Sequence, residues 1–373
     1  MRSFVLLLGA GVLACDATAQ KSSLDRPLDG IAKVTEWAKG LENPWGLAFL
    51  PDGRALVTEK PGRLRYIAPD GRVSGAIGGV PKVDDGGQGG LLDVALDPAF
   101  AANRLVYLSF SEPGEDDKAG TAVARGRLGE SGLEDVVVIY RQEPKVRSGG
   151  HYGSRLVFGR DGTLFITQGD RQNQRPLVQD LATDIGKIVR ITTDGGVPPD
   201  NPFVGKAGAR AEIWSYGHRN AQGAMLHPET GQLWTVEHGA MGGDELNHPE
   251  AGKNYGWPVI TYGVDYSGAK IGEGTAKAGM EQPVHYWDPS IAPSGLLIYS
   301  GDAFPAWKGS YFVGSLKFGR LVRLELEGDK VKKEERYLSD RGLRVRDVEQ
   351  GPEGFIYVVT EQGVILRLEP AGR

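Results

Sequence analysis

The residues best suited to chemistry lie between positions 147 and 170, in the stretch RSGGHYGSRLVFGRDGTLFITQGD. His151 stands among three glycines, so small neighbours leave its ring open to a ligand. A strand, a D-G turn and a second strand follow, and that strand ends at Asp170. The hairpin returns Asp170 to the end where His151 lies, where its carboxylate could orient the imidazole as a general base. The alternative is a loop histidine followed by a turn-capping aspartate.

Two further loops carry isolated polar side chains. Gln88 stands alone among glycines in DDGGQGG. Taken by itself, this stretch favours a flexible hairpin loop over a functional site. The stretch IWSYGHRNAQG ends a strand at Arg219 and Asn220, which places a cation beside an amide. The alternative, that Arg219 is an exposed surface cation without a functional role, fits the sequence equally well.

A glycine-rich bend, EHGAMGGDELNH, begins at Glu237. It combines backbone carbonyls with three oxygen-bearing side chains: Asp244, Glu245 and Asn247. Hard oxygen ligands on an irregular loop suit calcium, although the spacing is not that of an EF-hand and a solvated acidic turn is the alternative. His238 and His248 do not form a zinc motif, because no third ligand is nearby.

Three of the basic residues late in the chain stand out by their position. Lys317 interrupts a strand pattern, and Arg344 and Arg346 stand two residues apart, so they project from one face of a strand. Three cations at one rim favour a bound polyanion, because burying them unpaired is costly. The aromatic pairs in YGWP and YW are more often parts of a core or rim.

Internal repetition predicts the architecture. An apolar strand, a turn containing Pro, Asp, Glu or Gly, and a second strand recur six times at intervals of about 45 to 80 residues, beginning at Trp45, Leu92, Ser154, Ala224, Asp302 and Val345. This spacing is too long for a solenoid and suits four-stranded propeller blades with insertions. Amphipathic helices are nearly absent. The sequence therefore predicts an all-β, six-bladed β-propeller in which the loops after each copy meet at one end of a central channel.

Residues 20–373 are expected to form this one domain. The segment 26–37 is predicted to pair with 364–368 and close the ring, and the Pro/Gly-rich insertion 184–211 is predicted to be loop. The net charge of −5 argues against a nucleic-acid partner. The 55 glycines and 22 prolines fit many short strands joined by tight turns. No segment after residue 20 is long and apolar enough to be a transmembrane helix.

Residues 1–19 resemble a secretory signal peptide, with a basic start, an apolar run and an A-T-A cleavage site. The only cysteine, Cys15, lies within it. Cleavage near Ala19 is favoured over a lipoprotein box, in which Cys15 would carry a lipid anchor. A mature chain without disulfides suits a bacterial periplasm.

The sequence resembles the soluble PQQ-dependent sugar dehydrogenases, and its compact length is most similar to the aldose sugar dehydrogenase branch. The motifs that carry the resemblance run from about residue 40 to the C-terminus: GGQGG, SGGHYG, TQGD, SYGHRN, EHGxxGGDELN, NYGWP, SIAPSG, GSLK and RVRDV. The resemblance implies oxidation of the C1 hydroxyl of aldoses to lactones, with hydride transfer to PQQ.

The same resemblance implies a role for each matching residue. His151 would be the general base, with Asp170 and Arg219 as the other catalytic residues. Asp170 would orient His151, and Gln88 and Asp170 would bind the substrate. Arg219 and Asn220 would contact the quinone oxygens. The remaining cofactor contacts would be the carboxylate partners Lys317, Arg344 and Arg346, the wall residues Trp287, Ser290 and Ser294, and their neighbour Tyr266.

The resemblance also implies two calcium ions. The main-chain carbonyls of Gly239 and Ala240 would hold one Ca²⁺ beside PQQ. The family has a proline where this chain has Ala240, which affects loop rigidity more than a carbonyl ligand. Glu245, Tyr255 and Asp265 resemble a second, structural calcium site. The implied partners are an aldose and an external electron acceptor, either a soluble carrier or a quinone, and the protein would be a monomer or homodimer.

Two other functions were weighed. A calcium-dependent propeller lactonase would need several Asp, Glu or Asn side chains around the channel and would leave Lys317, Arg344 and Arg346 without an anion. A non-catalytic binding propeller would have no reason to place His151 and Asp170 at one rim with these cations.

Overall fold

A computed structural model of the chain describes residues 22–372. Its strands are, in chain order, β1 (Ala32–Lys39), β2 (Pro44–Phe49), β3 (Ala55–Glu59), β4 (Arg63–Ile67), β5 (Val73–Ile77), β6 (Leu91–Leu96), β7 (Leu105–Pro113), β8 (Ala119–Leu128), β9 (Leu133–Arg141), β10 (Leu156–Phe158), β11 (Leu164–Thr167), β12 (Lys187–Ile191), β13 (Ile213–Tyr216), β14 (Ala221–Leu226), β15 (Leu233–Glu237), β16 (Asp244–Asn247), β17 (His285–Trp287), β18 (Pro293–Ile298), β19 (Tyr311–Ser315), β20 (Arg320–Glu327), β21 (Lys330–Tyr337), β22 (Val345–Gln350), β23 (Ile356–Thr360) and β24 (Val364–Pro370). The helical segments found in residues 22–372 are α1 (Phe100–Asn103) and two 3₁₀ turns, Arg175–Leu177 and Pro305–Trp307. No helix in this part of the chain is long and apolar enough to cross a membrane.

The strands form six four-stranded antiparallel sheets, as the repeats predicted. Five sheets use consecutive strands: β2–β5, β6–β9, β10–β13, β14–β17 and β18–β21. The sixth has the order β1-β24-β23-β22, so strands from both ends of the described chain share one blade. The prediction of a six-bladed β-propeller is therefore confirmed.

The sequence repeats coincide with the two inner strands of most blades. The copies beginning at Trp45, Leu92, Ser154, Ala224 and Val345 fall on the first and second strands of five blades. The second strands β3, β15, β19 and β23 are buried along their whole length, because neighbouring blades cover both faces. The copy at Asp302 differs: it covers a 3₁₀ turn and β19, and the first strand of that blade, β18, precedes it.

Ring closure occurs where the repeats predicted it. β1 pairs antiparallel with β24, from Ala32 opposite Pro370 to Lys39 opposite Val364. The apolar side chains of this seam, among them Leu366 and Leu368, belong to a core shared with β18–β20. The prediction that residues 26–37 pair with residues 364–368 and close the ring is confirmed for the pairing, although the strand runs from Ala32 to Lys39.

The prediction that residues 184–211 are all loop is wrong in part. The third strand of its blade, β12, lies within this range and is fully buried. Its sequence, KIVRI, is short, begins with a charged lysine and is flanked by segments rich in proline and glycine. The pattern therefore did not indicate a strand. The Lys187 ammonium is buried against three main-chain carbonyls, those of Leu177, Val178 and Ile185, at 3.2, 2.8 and 2.6 Å.

A buried ion-pair network fills the central channel. Arg155, at the start of the innermost strand of its blade, reaches across to Asp93 at 3.0 Å and to Asp347 at 3.0 Å. The guanidinium lies 4.4 Å from the centre of the Trp45 ring. Side chains from four blades thus meet in the channel at this level.

The predicted signal peptide, residues 1–19, and the predicted fate of Cys15 lie outside the described residues.

Truncation of a closure residue should weaken the whole ring. Leu368 on β24 is fully buried in the shared core, so we expect Leu368→Ala to lower the free energy of unfolding by about 2–5 kcal/mol. Urea denaturation followed by tryptophan fluorescence measures this. Val137→Ala on β9 is the control, because its side chain is exposed and should change stability by less than about 0.5 kcal/mol. Equal effects of the two substitutions would contradict the closure role.

Candidate active site

His151 and Asp170 are in direct contact at one end of the channel. The His151 Nδ1 lies 2.6 Å from Asp170 Oδ1, and both side chains are buried. An ionised carboxylate can only accept, so Nδ1 carries the proton and donates it to Asp170. The other ring nitrogen, Nε2, is then unprotonated and free to accept a proton. This is the arrangement expected of an oriented general base.

The electrostatics keep this pair in the neutral-histidine, ionised-aspartate state. Burial lowers the pKa of His151 below 6.5 against the opposing pull of Asp170, and the nearby Arg219 lowers it further. Burial would raise the pKa of Asp170, but the hydrogen bond and charge of His151 outweigh it and hold that pKa below 3.8. At neutral pH the site therefore contains an unprotonated base.

The loop that carries His151 is fixed by a buried arginine. The Arg171 guanidinium donates to the Gly150 carbonyl at 2.9 Å and to the Ser148 carbonyl, and it lies 3.4 Å from the centre of the Tyr152 ring. His151 itself adopts a positive φ of 50°, which a non-glycine residue keeps only when its surroundings enforce it. The enclosed guanidinium supplies that enforcement.

Gln88 and Asn220 also contact this loop. The His151 main-chain N–H donates to Gln88 Oε1 at 2.8 Å, and the Gly153 N–H donates to Asn220 Oδ1 at 3.1 Å. Close approach of the next loop requires a glycine at position 169, because a Cβ there would lie 2.1 Å from the His151 carbonyl oxygen. The structure thus brings four sequence-predicted residues together: His151, Asp170, Gln88 and Asn220.

Arg219 joins the same cluster from the neighbouring blade. Its main-chain carbonyl accepts the Asp170 N–H at 2.8 Å. Its guanidinium donates through Nη1 to the His238 carbonyl at 3.1 Å and to the Gly239 carbonyl. The carbonyl predicted to ligate calcium is therefore already hydrogen-bonded to an arginine.

A buried relay holds the Arg219 backbone. Glu237 accepts the Arg219 N–H at 2.7 Å, and its other oxygen lies 3.1 Å from His218 Nδ1. His218 Nε2 in turn lies 2.9 Å from Ser215 Oγ. This serine–histidine–carboxylate series resembles a nucleophilic triad, but Ser215 and His218 have no exposed surface, so no substrate can reach the hydroxyl. The series is a structural element that aligns Glu237.

Asp244 anchors the predicted calcium loop. Its Oδ1 accepts the Gly239 N–H at 2.8 Å. Its Oδ2 accepts from the Ser290 hydroxyl at 2.8 Å and from two main-chain N–H groups, those of Ile291 and Ala292. Ser290 therefore supports the Gly239–Ala240 bend through Asp244.

Of the three residues predicted for a second calcium, Glu245 and Tyr255 line one small cavity, whereas Asp265 has a cationic partner. Burial and the neighbouring Glu237 raise the pKa of Glu245 to about 8. The Tyr255 hydroxyl donates to the His248 carbonyl at 2.8 Å, and Asp265 pairs with Arg175 at 3.0 Å. Across residues 22–372, no three His, Cys, Asp or Glu side chains approach closely enough to hold a metal ion.

Two of the three cations predicted to hold an anion, Arg344 and Arg346, already have an anionic partner. Arg344 and Arg346 both pair with Glu361, and Arg344 also donates to the Leu316 carbonyl at 3.0 Å, next to Lys317. Glu361 neutralises one of the three positive charges, so the chain itself supplies part of the anion that these cations require.

The remaining predicted cofactor residues lie outside this cluster or face away from it. Trp287 is buried in a core between blades, where its Nε1 donates to Glu334 at 3.2 Å. Ser294 donates to the Val345 carbonyl at 2.7 Å. Tyr266 is 68% exposed. The structure does not bring Trp287 or Tyr266 into contact with His151 or Arg219.

Sequence reasoning missed several residues that shape the site: Lys60, Arg171, His238, Trp257 and Glu361. Lys60 Nζ donates to the Gly87 carbonyl at 2.8 Å, beside Gln88. One signal was available for Glu361: Glu59 and Glu237 end the second strands of their blades, and Glu361 directly follows β23. The NYGWP motif marks the stretch that holds Trp257 but not its contact with Asp170, and no local pattern identifies Arg171.

The buried nitrogens of this cluster fit a large anion. Three of them find no hydrogen-bond partner in the described residues: Arg219 Nε, Arg346 Nε and His238 Nε2. Burial lowers the pKa of His238 well below 6.5, and the positive charges of Arg219, His151 and Arg346 lower it further, so these groups lie in one electrostatic neighbourhood. Unpaired buried donors are costly, and a polycarboxylate ligand would satisfy them.

Comparison with known proteins places the chain in a family. The model of the family described as Glucose / Sorbosone dehydrogenase matches residues 41–367. The chain belongs to this family of oxidoreductases.

Its relatives cover nearly the same length. The aldose sugar dehydrogenase YliI of Escherichia coli (strain K12) is 50% identical over 337 residues, which cover 88% of this chain and 91% of that protein. The crystal structure of the soluble aldose sugar dehydrogenase from Escherichia coli in the apo-form is similar with a TM-score of 0.88 and 48% identity, over 91% of this chain and 99% of that one. The PQQ-bound form of aldose sugar dehydrogenase from Streptomyces coelicolor has a TM-score of 0.76 and 30% identity, over 91% and 98%.

The pairing of Glu361 should appear in the pH dependence of stability. Burial opposes its ionisation, but Arg346 and Arg344 outweigh this and lower the pKa of Glu361 to about 2 from 4.5. A lowered carboxyl pKa stabilises the fold above the unfolded value and loses this contribution as pH falls toward the folded value. We expect Glu361→Gln to lower the melting temperature at pH 7, by an amount that shrinks as the pH falls below about 4.5.

The measurement is a thermal melt of the apoprotein at several pH values. The control is Glu130→Gln, the same change of charge at an exposed turn between β8 and β9. A Glu361→Gln deficit that stays constant with pH would contradict the proposed ion pairs.

Proposed function

We propose that this protein is a PQQ-dependent aldose sugar dehydrogenase that oxidises the C1 hydroxyl of glucose-type aldoses to lactones. The carrying observation is a buried His151–Asp170 pair beside Arg219 and Arg346, which each have a guanidinium nitrogen without a partner. The similarity to two aldose sugar dehydrogenases, one of them in a PQQ-bound form, supports the proposal.

The chain supplies the base and the orientation. When bound, PQQ would supply a two-electron oxidant that accepts hydride from C1, with Ca²⁺ polarising its quinone carbonyl. His151 Nε2 would take the proton of the C1 hydroxyl as the hydride leaves C1. Asp170 would stabilise the imidazolium that forms. Gln88, already bonded to the His151 backbone, would position a substrate hydroxyl.

The cations would hold the cofactor. Arg219 and Asn220 would face the quinone oxygens, and Arg346, Arg344 and Lys317 would face the carboxylates. Ser290 and Ser294 would support the wall of the site through their hydrogen bonds to Asp244 and to the Val345 carbonyl. Trp287 and Tyr266 have weaker support, because one is buried between blades and the other is exposed.

Calcium at the Gly239 and Ala240 carbonyls would depend on the anionic cofactor. The Gly239 carbonyl accepts from the Arg219 guanidinium, so a divalent cation there would lie beside a positive charge. An anion bound in the same place would offset that repulsion. A second ion at Glu245, Tyr255 and Asp265 has less support, because Asp265 is paired with Arg175.

The proposal includes a periplasmic location. It rests on the signal-like residues 1–19, with cleavage favoured over lipid attachment at Cys15. An external electron acceptor, a soluble carrier or a quinone, would reoxidise the cofactor, and the assembly would be a monomer or homodimer.

Dye-linked oxidation of glucose and other aldoses by purified apoprotein tests the function. We expect activity only when PQQ and Ca²⁺ are both added, and a loss of at least about 100-fold in kcat in His151→Ala. His227→Ala is the control and should retain activity. His227 directly follows β14, at the opposite end of that strand from Asn220. Tight PQQ binding without sugar oxidation would reject the substrate class, and absence of PQQ binding would reject the function and favour a lactonase.

The protonation state of His151 predicts the pH profile. The base must be neutral, and burial lowers the pKa of His151 below 6.5. We therefore expect kcat/KM to rise with pH and to level off, with the midpoint of the acid limb below about 6.5. Initial rates between pH 4.5 and 8 measure the midpoint. A midpoint well above 6.5 would mean that another group is the base.

A further inference from the structure

We propose that Trp257 is a positioning residue for the His151 base, acting through the second carboxylate oxygen of Asp170. The Trp257 Nε1–H donates to Asp170 Oδ2 at 2.8 Å, while His151 Nδ1 lies 2.6 Å from Oδ1. The Gln172 main-chain N–H adds a third bond, to Oδ1 at 2.7 Å. Each carboxylate oxygen therefore accepts from at least one positioned donor, and these donors fix the plane of the carboxylate.

The indole is held rigidly enough to serve this purpose. Trp257 is 5% exposed. Its main-chain N–H donates to the Gly217 carbonyl at 2.9 Å, and its carbonyl accepts from Gln179 Nε2 at 2.8 Å. The ring packs in a buried cluster with Val178, Ile185, Ala240 and Ile271.

The contact joins two blades. Asp170 follows β11, whereas Trp257 lies in the long connection between β16 and β17 of the next blade. A residue from one blade therefore determines the orientation of the base of another. The NYGWP stretch, which composition alone assigned to a core or rim, acquires a specific task.

The same ring faces two arginines. The guanidinium carbons of Arg219 and Arg175 each lie 5.3 Å from its centre, within the range of cation–π attraction. Loss of the N–H and loss of the ring should therefore have different effects. Phenylalanine removes the donor and keeps a ring, whereas leucine removes both.

Removal of the N–H has a defined electrostatic consequence. The charged or titratable groups that act on His151 are Asp170, Arg219 and Arg171, and His238 feels its charge in turn. Without the indole donor, Asp170 Oδ2 would be buried with no partner, and the carboxylate would accept more strongly from His151. The pKa of His151 should rise.

The catalytic meaning of this role rests on the proposed function, but its test does not. In the apoprotein, ¹⁵N-histidine NMR follows the titration of His151 without cofactor or substrate. We expect Trp257→Phe to raise the midpoint by about 0.5–1 pH unit. Trp37→Phe is the matched control, because it removes an indole N–H donated to the Pro69 carbonyl at 3.0 Å in another blade, and it should leave His151 unchanged.

With the loaded enzyme, the acid limb of kcat/KM should move upward with the NMR midpoint in Trp257→Phe, and kcat should fall roughly tenfold. Trp257→Leu should add a loss of PQQ affinity through Arg219. An unchanged His151 midpoint in folded Trp257→Phe would overturn the inference, even if the protein oxidises sugars. A shifted midpoint in a protein without sugar oxidation would uphold the positioning and reject only the function.

A measurement on the unsubstituted protein covers the case in which Trp257→Phe fails to fold. The ¹H–¹⁵N resonance of the Trp257 indole should titrate with the His151 midpoint, because both groups bind one carboxylate. The Trp37 indole should not. A Trp257 resonance that does not respond through the His151 transition would also overturn the inference.

Discussion

The site depends on one buried carboxylate. Asp170 has no exposed surface, yet it is ionised, because His151, Trp257 and the Gln172 N–H occupy its two oxygens. A lone carboxylate at this depth would be protonated. Its ionisation, and the tautomer of His151 that follows from it, are therefore joint properties of two blades. The β-sheets matter to the chemistry chiefly because they bring those donors to one point.

A second constraint is the balance of charge around the channel. Elsewhere in the channel, Arg155 is paired with Asp93 and Asp347. At the site itself, Arg219 and Arg346 keep buried nitrogens without partners, although Glu361 neutralises part of the charge. Arg155 is thus held by carboxylates of the chain itself, whereas the unpartnered nitrogens of Arg219 and Arg346 are the groups proposed to receive an external anion.

The sequence predicted what depends on local pattern. Alternating strands and turns predicted six blades, because each inner hairpin has its own turn and apolar face. The exceptions have physical causes: β12 begins with Lys187, whose charge is satisfied by carbonyls, and β18 lies upstream of its weak repeat. At the site, glycine-rich loops pointed to His151, Gln88 and the bend at Gly239. Arg171 and Trp257 could not be predicted, since their importance arises from contacts between segments far apart in sequence.

The way the ring closes has a consequence for biogenesis. β1 completes a blade whose other three strands, β22–β24, come last in the chain. A partly synthesised polypeptide therefore carries β1 as an unpaired edge for almost its whole time of emergence, which is a hazard for association between chains. Long-range closure also makes the final step of folding slow relative to the individual hairpins. The first strand can therefore join its blade only after β24 has been synthesised.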